Sequence, residues 1–210
     1  MTYWDISPKV SPETAVFPGD QPFQQKISMD FSMGDHFFLS SFETTPHIGA
    51  HADSPRHYHP DGVPIDQVDL RPYFGKCQVV DVTRGADRIL PDEIKNIPIT
   101  CARILFKTGS FPDLNQWRSE FRSLSPELIR ELKTQGVRLI GIDTPSVDPS
   151  DSKDLPSHIA LYETKIANLE GLDLSKVEGG EYFISALPLK LEGMDASPIR
   201  AVLFRDIDND

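Results

Sequence analysis

"RILFKTGSFPDLNQWRSEFRSLSPELIRELKTQGVRLIGID" at residues 103–143 is the stretch that sets the fold class. Its two ends, Arg103-Ile-Leu-Phe-Lys-Thr108 and Val137-Arg-Leu-Ile-Gly-Ile-Asp143, are short apolar runs rich in β-branched residues, which predicts buried strands. Between them, Ser125 offers an N-cap hydroxyl, Pro126 sits at the first helical position and Glu127 faces the positive end of the helix dipole. Leu128, Ile129 and Leu132 then recur at helical spacing until Gly136 stops the run. Strand, helix and strand in succession predict an α/β protein. Working outward, further strands are expected at Cys77–Val82, Tyr182–Leu187 and Ile199–Phe204, and shorter helices at Pro91–Asn96 and around His158–Leu169. The pattern leaves open whether the sheet is parallel or mixed.

The chain of 210 residues is long enough for one sizeable core, and with no repeat or low-complexity linker the expectation is a single domain over residues 1–210. A formal charge of -11 repels nucleic acid phosphates and anionic membrane surfaces, so neither is an expected partner. The opening MTYWDISPKVSPET lacks a signal peptide's basic and apolar regions, and no stretch approaches the ~20 apolar residues of a membrane span. Cytoplasm is the expected location. Cys77 and Cys101, without C-x-x-C spacing, are expected to be small core residues.

Four of the six histidines fall within "TTPHIGAHADSPRHYHPDG" at 44–62. The stretch can be a metal site, an acid/base pair or a solvated polar loop. In a straight strand His47 and His51 would stand roughly 13 Å apart, too far for one ion, whose imidazole ligands each approach to about 2.1 Å. A helix would bring them together, but Pro46, Gly49 and Pro55 oppose one. The segment must therefore bend, and Gly49 between the two histidines has the backbone freedom for it. Two imidazoles and the Asp53 carboxylate, with His57 nearby, form a donor set suited to Zn²⁺ or a similar divalent ion. Farther along, His158 and Glu170 would lie about 18 Å apart in a continuous helix, so they can meet only if that helix ends between them.

These residues resemble a known family. His47-x-Gly49-x-His51-x-Asp53-x-Pro55-x-His57 resembles the H-x-G-T-H-x-D-x-P-x-H signature of the metal-dependent cyclase-like hydrolases. "VFPGDQPF" at 16–23, "IGIDTPSVDPSDSKDLPSH" at 140–158, "LEGLDL" at 169–174 and "ALPLKLEGMDASPIRAVL" at 186–203 resemble the bacterial kynurenine formamidases within it, so the likeness spans nearly the whole chain. It implies an α/β fold of the swivelling β/β/α type, a single domain with a mixed β-sheet and flanking helices, together with a homodimer and two divalent ions, chiefly Zn²⁺ with Mn²⁺ as the other candidate. The implied reaction is hydrolysis of N-formyl-L-kynurenine to L-kynurenine and formate in tryptophan breakdown. By the same resemblance His47, His51 and Asp53 match ligands of one ion, and Asp53, His158 and Glu170 those of the second, with both carboxylates bridging. His57 matches the general acid/base, and Phe17 falls where an aromatic side chain, commonly tryptophan, contacts the substrate. Two positions depart: Ala50 replaces a threonine and loses no ligand, while Phe17 keeps an aromatic face but lacks an indole N–H.

The chemistry required is hydroxide at neutral pH and a proton for the departing aryl amine. A divalent ion lowers the pKa of water to roughly 7, and an imidazole with an ordinary pKa near 6.5 can carry the proton. His57 can be a further ligand or that carrier; Pro55 and the residues beyond Asp53 favour the carrier. His59 is expected at the surface, and Asp143, Thr144, Ser146 and Asp148 lie at a strand's end, where α/β proteins often place site residues, but read equally well as an ordinary turn around Pro145 and Pro149. Ser146 sits in no G-x-S-x-G elbow, which argues against a serine hydrolase. Two other readings stand beside the formamidase: a related hydrolase of another aryl amide or a lactam such as isatin, and a noncatalytic metal-binding protein.

Overall fold

The computed structural model describes residues 1–205. Thirteen strands and three α-helices are placed among the described residues: β1 (Thr2–Asp5), β2 (Gln24–Met29), β3 (Leu39–Glu43), β4 (His51–Asp53), β5 (Phe74–Asp81), β6 (Arg88–Ile89), α1 (Pro91–Ile94), β7 (Arg103–Lys107), β8 (Ser123–Leu124), α2 (Pro126–Thr134), β9 (Leu139–Ile142), α3 (Pro156–Thr164), β10 (Ala167–Glu170), β11 (Gly180–Ser185), β12 (Ala196–Pro198) and β13 (Val202–Arg205). Nine of the strands form one sheet in the order β1-β13-β11-β5-β7-β9-β10-β4-β12. Its centre, β5-β7-β9-β10, is parallel, and antiparallel pairs flank it on both sides, so the sheet is mixed.

β9 and the Ile104-Leu105-Phe106 centre of β7 are apolar, as strands covered on both faces are. Leu105 and Leu139 point into one core with Cys77, Val79, Leu169 and Ile184, whereas Ile104, Phe106, Ile140 and Ile142 point into the other. The second core lies under α2 and α3, through Leu128, Ile129, Leu132, Ala160 and Leu161. Ser125 accepts a hydrogen bond from the Leu128 N–H at 3.2 Å, the cap its hydroxyl promised, and Gly136 follows with φ 84°. Both cysteines are free and buried. No helix among the described residues is long and apolar enough to cross a membrane.

The helix expected around His158–Leu169 is corrected. α3 stops at Thr164, Lys165 turns left-handed at φ 53°, and residues 167–170 run as β10 beside β9 and β4. The chain breaks here because Ile166 and Leu169 gain full burial in opposite cores, which a continuing helix on the surface of the sheet could not give them. The expected strand at Ile199–Phe204 begins only at Val202, and the strand at Tyr182–Leu187 ends at Ser185. Sequence reading missed β4, β10 and β12, which carry or support much of the site, and the β2-β3 hairpin.

Candidate metal centre

β4 and β10 run antiparallel, with Glu170 opposite His51 and Leu169 opposite Ala52. Ala52 and Leu169 point into the core, so the two-residue alternation of a strand sends His51, Asp53, Asn168 and Glu170 to the opposite face. His47 reaches the same place by the expected bend: Gly49 lies at φ 58°, and the His47 and His51 rings come within 5.2 Å of each other, centre to centre. Gly171, at φ 64°, lies so close to this bend that a Cβ on it would stand 2.1 Å from the Gly49 carbonyl oxygen. His158 enters from the first turn of α3.

Each of these three imidazoles is anchored through its far nitrogen. His47 Nε2 donates to Asp195 Oδ2, His51 Nδ1 to the Gly49 carbonyl and His158 Nδ1 to Asp148 Oδ2, each at 2.9 Å. The near nitrogens then converge on two buried carboxylates. His47 Nδ1 lies 3.0 Å from Asp53 Oδ1, and His51 Nε2 lies 3.5 Å from that oxygen and 3.4 Å from Glu170 Oε2. On the other side, His158 Nε2 stands 3.5 Å from Asp53 Oδ2 and 3.3 Å from Glu170 Oε1. His51 Nε2, His158 Nε2 and Asp53 Oδ1 are fully buried and have no hydrogen-bond partner. Two ring nitrogens and a carboxylate oxygen, buried, aimed at one another and without partners among the described residues, are groups that a cation between them would satisfy. The donor set of imidazoles and carboxylates fits a zinc-like divalent ion.

The charge balance says the same. Burial opposes charge on Asp53 and Glu170, yet the surrounding imidazoles of His158, His47 and His51 outweigh it and hold both below the ordinary carboxylate range. Burial likewise disfavours protonating His47, but the hydrogen bond to Asp195 and the Asp53 carboxylate beside it push it up to about 10. Without a metal the cluster gathers protons as its cations, and a divalent ion would replace them.

The sequence gives no functional signal for Asp195, and leaves Asp148 open between a site residue and a turn residue. Asp148, fully buried, accepts from the backbone N–H groups of Ser157 and His158 at the start of α3 as well as from the imidazole, and pairs with Arg88 at 3.3 Å. Asp195 uses one oxygen for His47 and, at 3.3 Å, for His57 Nδ1. His57 thus sits at the rim, its ring centre 4.2 Å from that of His47, with a nitrogen within 4.8 Å of donor atoms on Asp53 and His158. His59 is not a free surface side chain: it stacks on Tyr162 at 3.7 Å with planes 10° apart. Asp143 is a structural carboxylate, accepting from the Thr108 and Gly109 N–H groups. Ser146 Oγ accepts from the Asp148 N–H, as a turn residue does.

Above the cluster lies a cavity of about 380 Å³, whose walls include Phe17, Phe111 and Trp117. Phe17 and Trp117 meet edge to face at 5.1 Å. The aromatic wall expected from Phe17 alone is therefore shared, and Trp117 brings an indole that the sequence reading placed nowhere.

A family profile named Cyclase matches residues 4–149. The chain belongs to the Cyclase family. Solved structures agree with that membership over the full fold. A "potential metal-dependent hydrolase with cyclase activity" is 27% identical, with a TM-score of 0.83 and 96% of each chain covered. A protein described as a "predicted metal-dependent hydrolase" from Bacillus stearothermophilus is also 27% identical, with a TM-score of 0.82 and coverage of 96% of this chain and 97% of that one. Isatin hydrolase A from Labrenzia aggregata, at 21% identity, shares the cyclase fold with a TM-score of 0.81, covering 96% of this chain and 93% of its own.

Proposed function

We propose that the protein is a metal-dependent hydrolase of an aryl amide, converting N-formyl-L-kynurenine to L-kynurenine and formate. The observation that carries this reading is the convergence of His47, His51 and His158 on Asp53 and Glu170 at the floor of an aromatic-walled cavity. His47, His51 and Asp53 would hold one divalent ion, and Asp53, His158 and Glu170 a second, with Glu170 also reaching the first; Zn²⁺ is the expected identity. Such ions supply Lewis acidity toward a carbonyl oxygen and lower the pKa of water to roughly 7.

The chain's own groups do the rest. Phe17, Phe111 and Trp117 hold the aryl ring against the cavity wall. His57, with Nδ1 fixed on Asp195 Oδ2, has Nε2 for proton transfer. It takes a proton from the attacking water and returns it to the aryl nitrogen as the C–N bond breaks, leaving formate and the free amine.

A lactam such as isatin is the second reading. Among the described residues the cavity lining holds no Lys or Arg, which suits a ring amide without a carboxylate, and the isatin hydrolases share the fold. Hydrolysis of N-formylkynurenine and of isatin, measured side by side before and after chelation and metal readdition, separates them. Faster turnover of N-formylkynurenine, lost on chelation and restored by metal, is expected. Preference for isatin would replace the first reading with the second, and turnover of neither, or turnover indifferent to chelator, would end both.

A further inference from the structure

We propose that Asn168 decides whether the centre holds one ion or two. The inference rests on the metal reading above. Asn168 is fully buried on β10, two residues before Glu170 and on the same face of the strand. Its Nδ2 donates to Asp53 Oδ2 at 2.8 Å and to Glu170 Oε1 at 3.2 Å. Those two oxygens are the pair that faces His158, and their partners, Oδ1 and Oε2, face His51.

One amide group therefore fixes the rotation of both carboxylates, so that each presents one oxygen to either side. The torsion it restrains is soft: a carboxylate turns about its last bond with broad, shallow preferences. Glu170 Oε1 has a second restraint in the Val147 N–H at 3.0 Å, whereas among the described residues Asn168 is the sole hydrogen-bond donor to Asp53 Oδ2, and Oδ1 faces His47 at 3.0 Å.

The two positions are unequal in consequence. On the His47 and His51 side there are two imidazoles, and among the described residues the two carboxylate oxygens there face only imidazole nitrogens. His158 stands alone on its side, facing two oxygens that already accept hydrogen bonds. Removing the clamp frees Asp53, and leaves Glu170 held only by the Val147 N–H, to turn toward the richer side. The first ion would then be retained and the second held more weakly. Asn168 acts through Asp53 and Glu170, as a positioning residue.

The test is metal binding, read without activity. Wild type, Asn168→Ala and Asn168→Leu, the last of similar volume but with no donor, are stripped of metal and titrated with Zn²⁺ against a chromophoric chelator. Wild type should show two steps. Both variants should keep the first and weaken the second about 10- to 100-fold. Unchanged second-ion affinity, or loss of both steps from a variant that melts as wild type does, would overturn the proposal. Should the variants not fold, the wild type itself decides through histidine ring ¹⁵N resonances during titration. His47 and His51 should respond within the first equivalent and His158 only in the second; His158 responding first or together with them sinks the idea. Failure of either hydrolysis assay leaves these readouts intact, whereas a protein that binds no divalent ion ends both proposals.

Discussion

At the scale of single residues, the centre is built by giving every functional group a second partner. His57 illustrates it, held at Nδ1 by Asp195 outside the carboxylate pair. His57→Ala should lower kcat about 10²- to 10⁴-fold while metal content, measured by atomic emission, stays at the wild-type value; unaltered turnover would remove it from proton transfer. Asp195 also pairs with His47, whose hydrogen bond, acting against partial burial, holds it down to about 2, while His47 is pushed up to about 10. In the metal-free protein the pair contributes fully between the ordinary carboxylate value of 3.8 and the ordinary imidazole value of 6.5. That contribution fades as pH rises from 6.5 toward 10, because His47 loses its proton, and as pH falls from 3.8 toward 2, because Asp195 gains one. Asp195→Asn should accordingly destabilise the metal-free protein most near pH 5 and least near pH 10, as read by denaturant midpoints; a pH-independent difference would count against the pair. His47, His51, Asp53 and His57 were legible in one short stretch because donor types cluster there. Asp148, Asn168 and Asp195 were not, since Asp and Asn are also the ordinary residues of turns and nothing local distinguishes a carboxylate that orients an imidazole from one that closes a loop.

Among the elements, β4 and β10 decide the site, and both are only three or four residues long. His-Ala-Asp and Asn-Leu-Glu alternate as strands do, but with polar residues facing inward toward the cluster, so the sequence signal of a buried strand is absent. The end of α3 was equally hard to read, because Lys165 takes the left-handed position where glycine ordinarily marks a stop. Gly171 is where two elements meet. Gly171→Ala combines a left-handed backbone with a Cβ driven onto the Gly49 carbonyl, and should cost well over the ~1–2 kcal/mol of the backbone term alone. Gly136→Ala, left-handed at φ 84° with open space around it, should cost only that backbone term. Equal losses in thermal or denaturant unfolding would show that the close approach carries no weight.

On the scale of the whole molecule, the β2-β3 hairpin with its connecting turn carries a concentration of exposed apolar side chains: Ile27, Phe31, Met33, Leu39 and Phe42 are 46–72% exposed. Patches of this kind mark association surfaces, which supports the homodimer as a proposal. Sedimentation should give twice the monomer mass for the wild type, and Phe31→Glu combined with Phe42→Glu should shift it to monomer. A wild-type monomer at micromolar concentration would remove the dimer, and a double variant that stays dimeric would move the interface elsewhere.

By itself the sequence determined the α/β class, the strand-helix-strand unit at 103–143 and the clustering of metal-suited donor groups at 47–57, because periodicity and donor spacing are local properties of the chain. Tertiary structure alone decided which strands of the mixed sheet lie side by side, that α3 ends before β10, and that Asn168, Asp148 and Asp195 stand behind the candidate ligands. Those outcomes depend on which strands become neighbours, and strand pairing joins residues more than a hundred positions apart, as Asn168 and Asp53 are. The polar groups on such a face gain their meaning only from what the opposite strand presents to them.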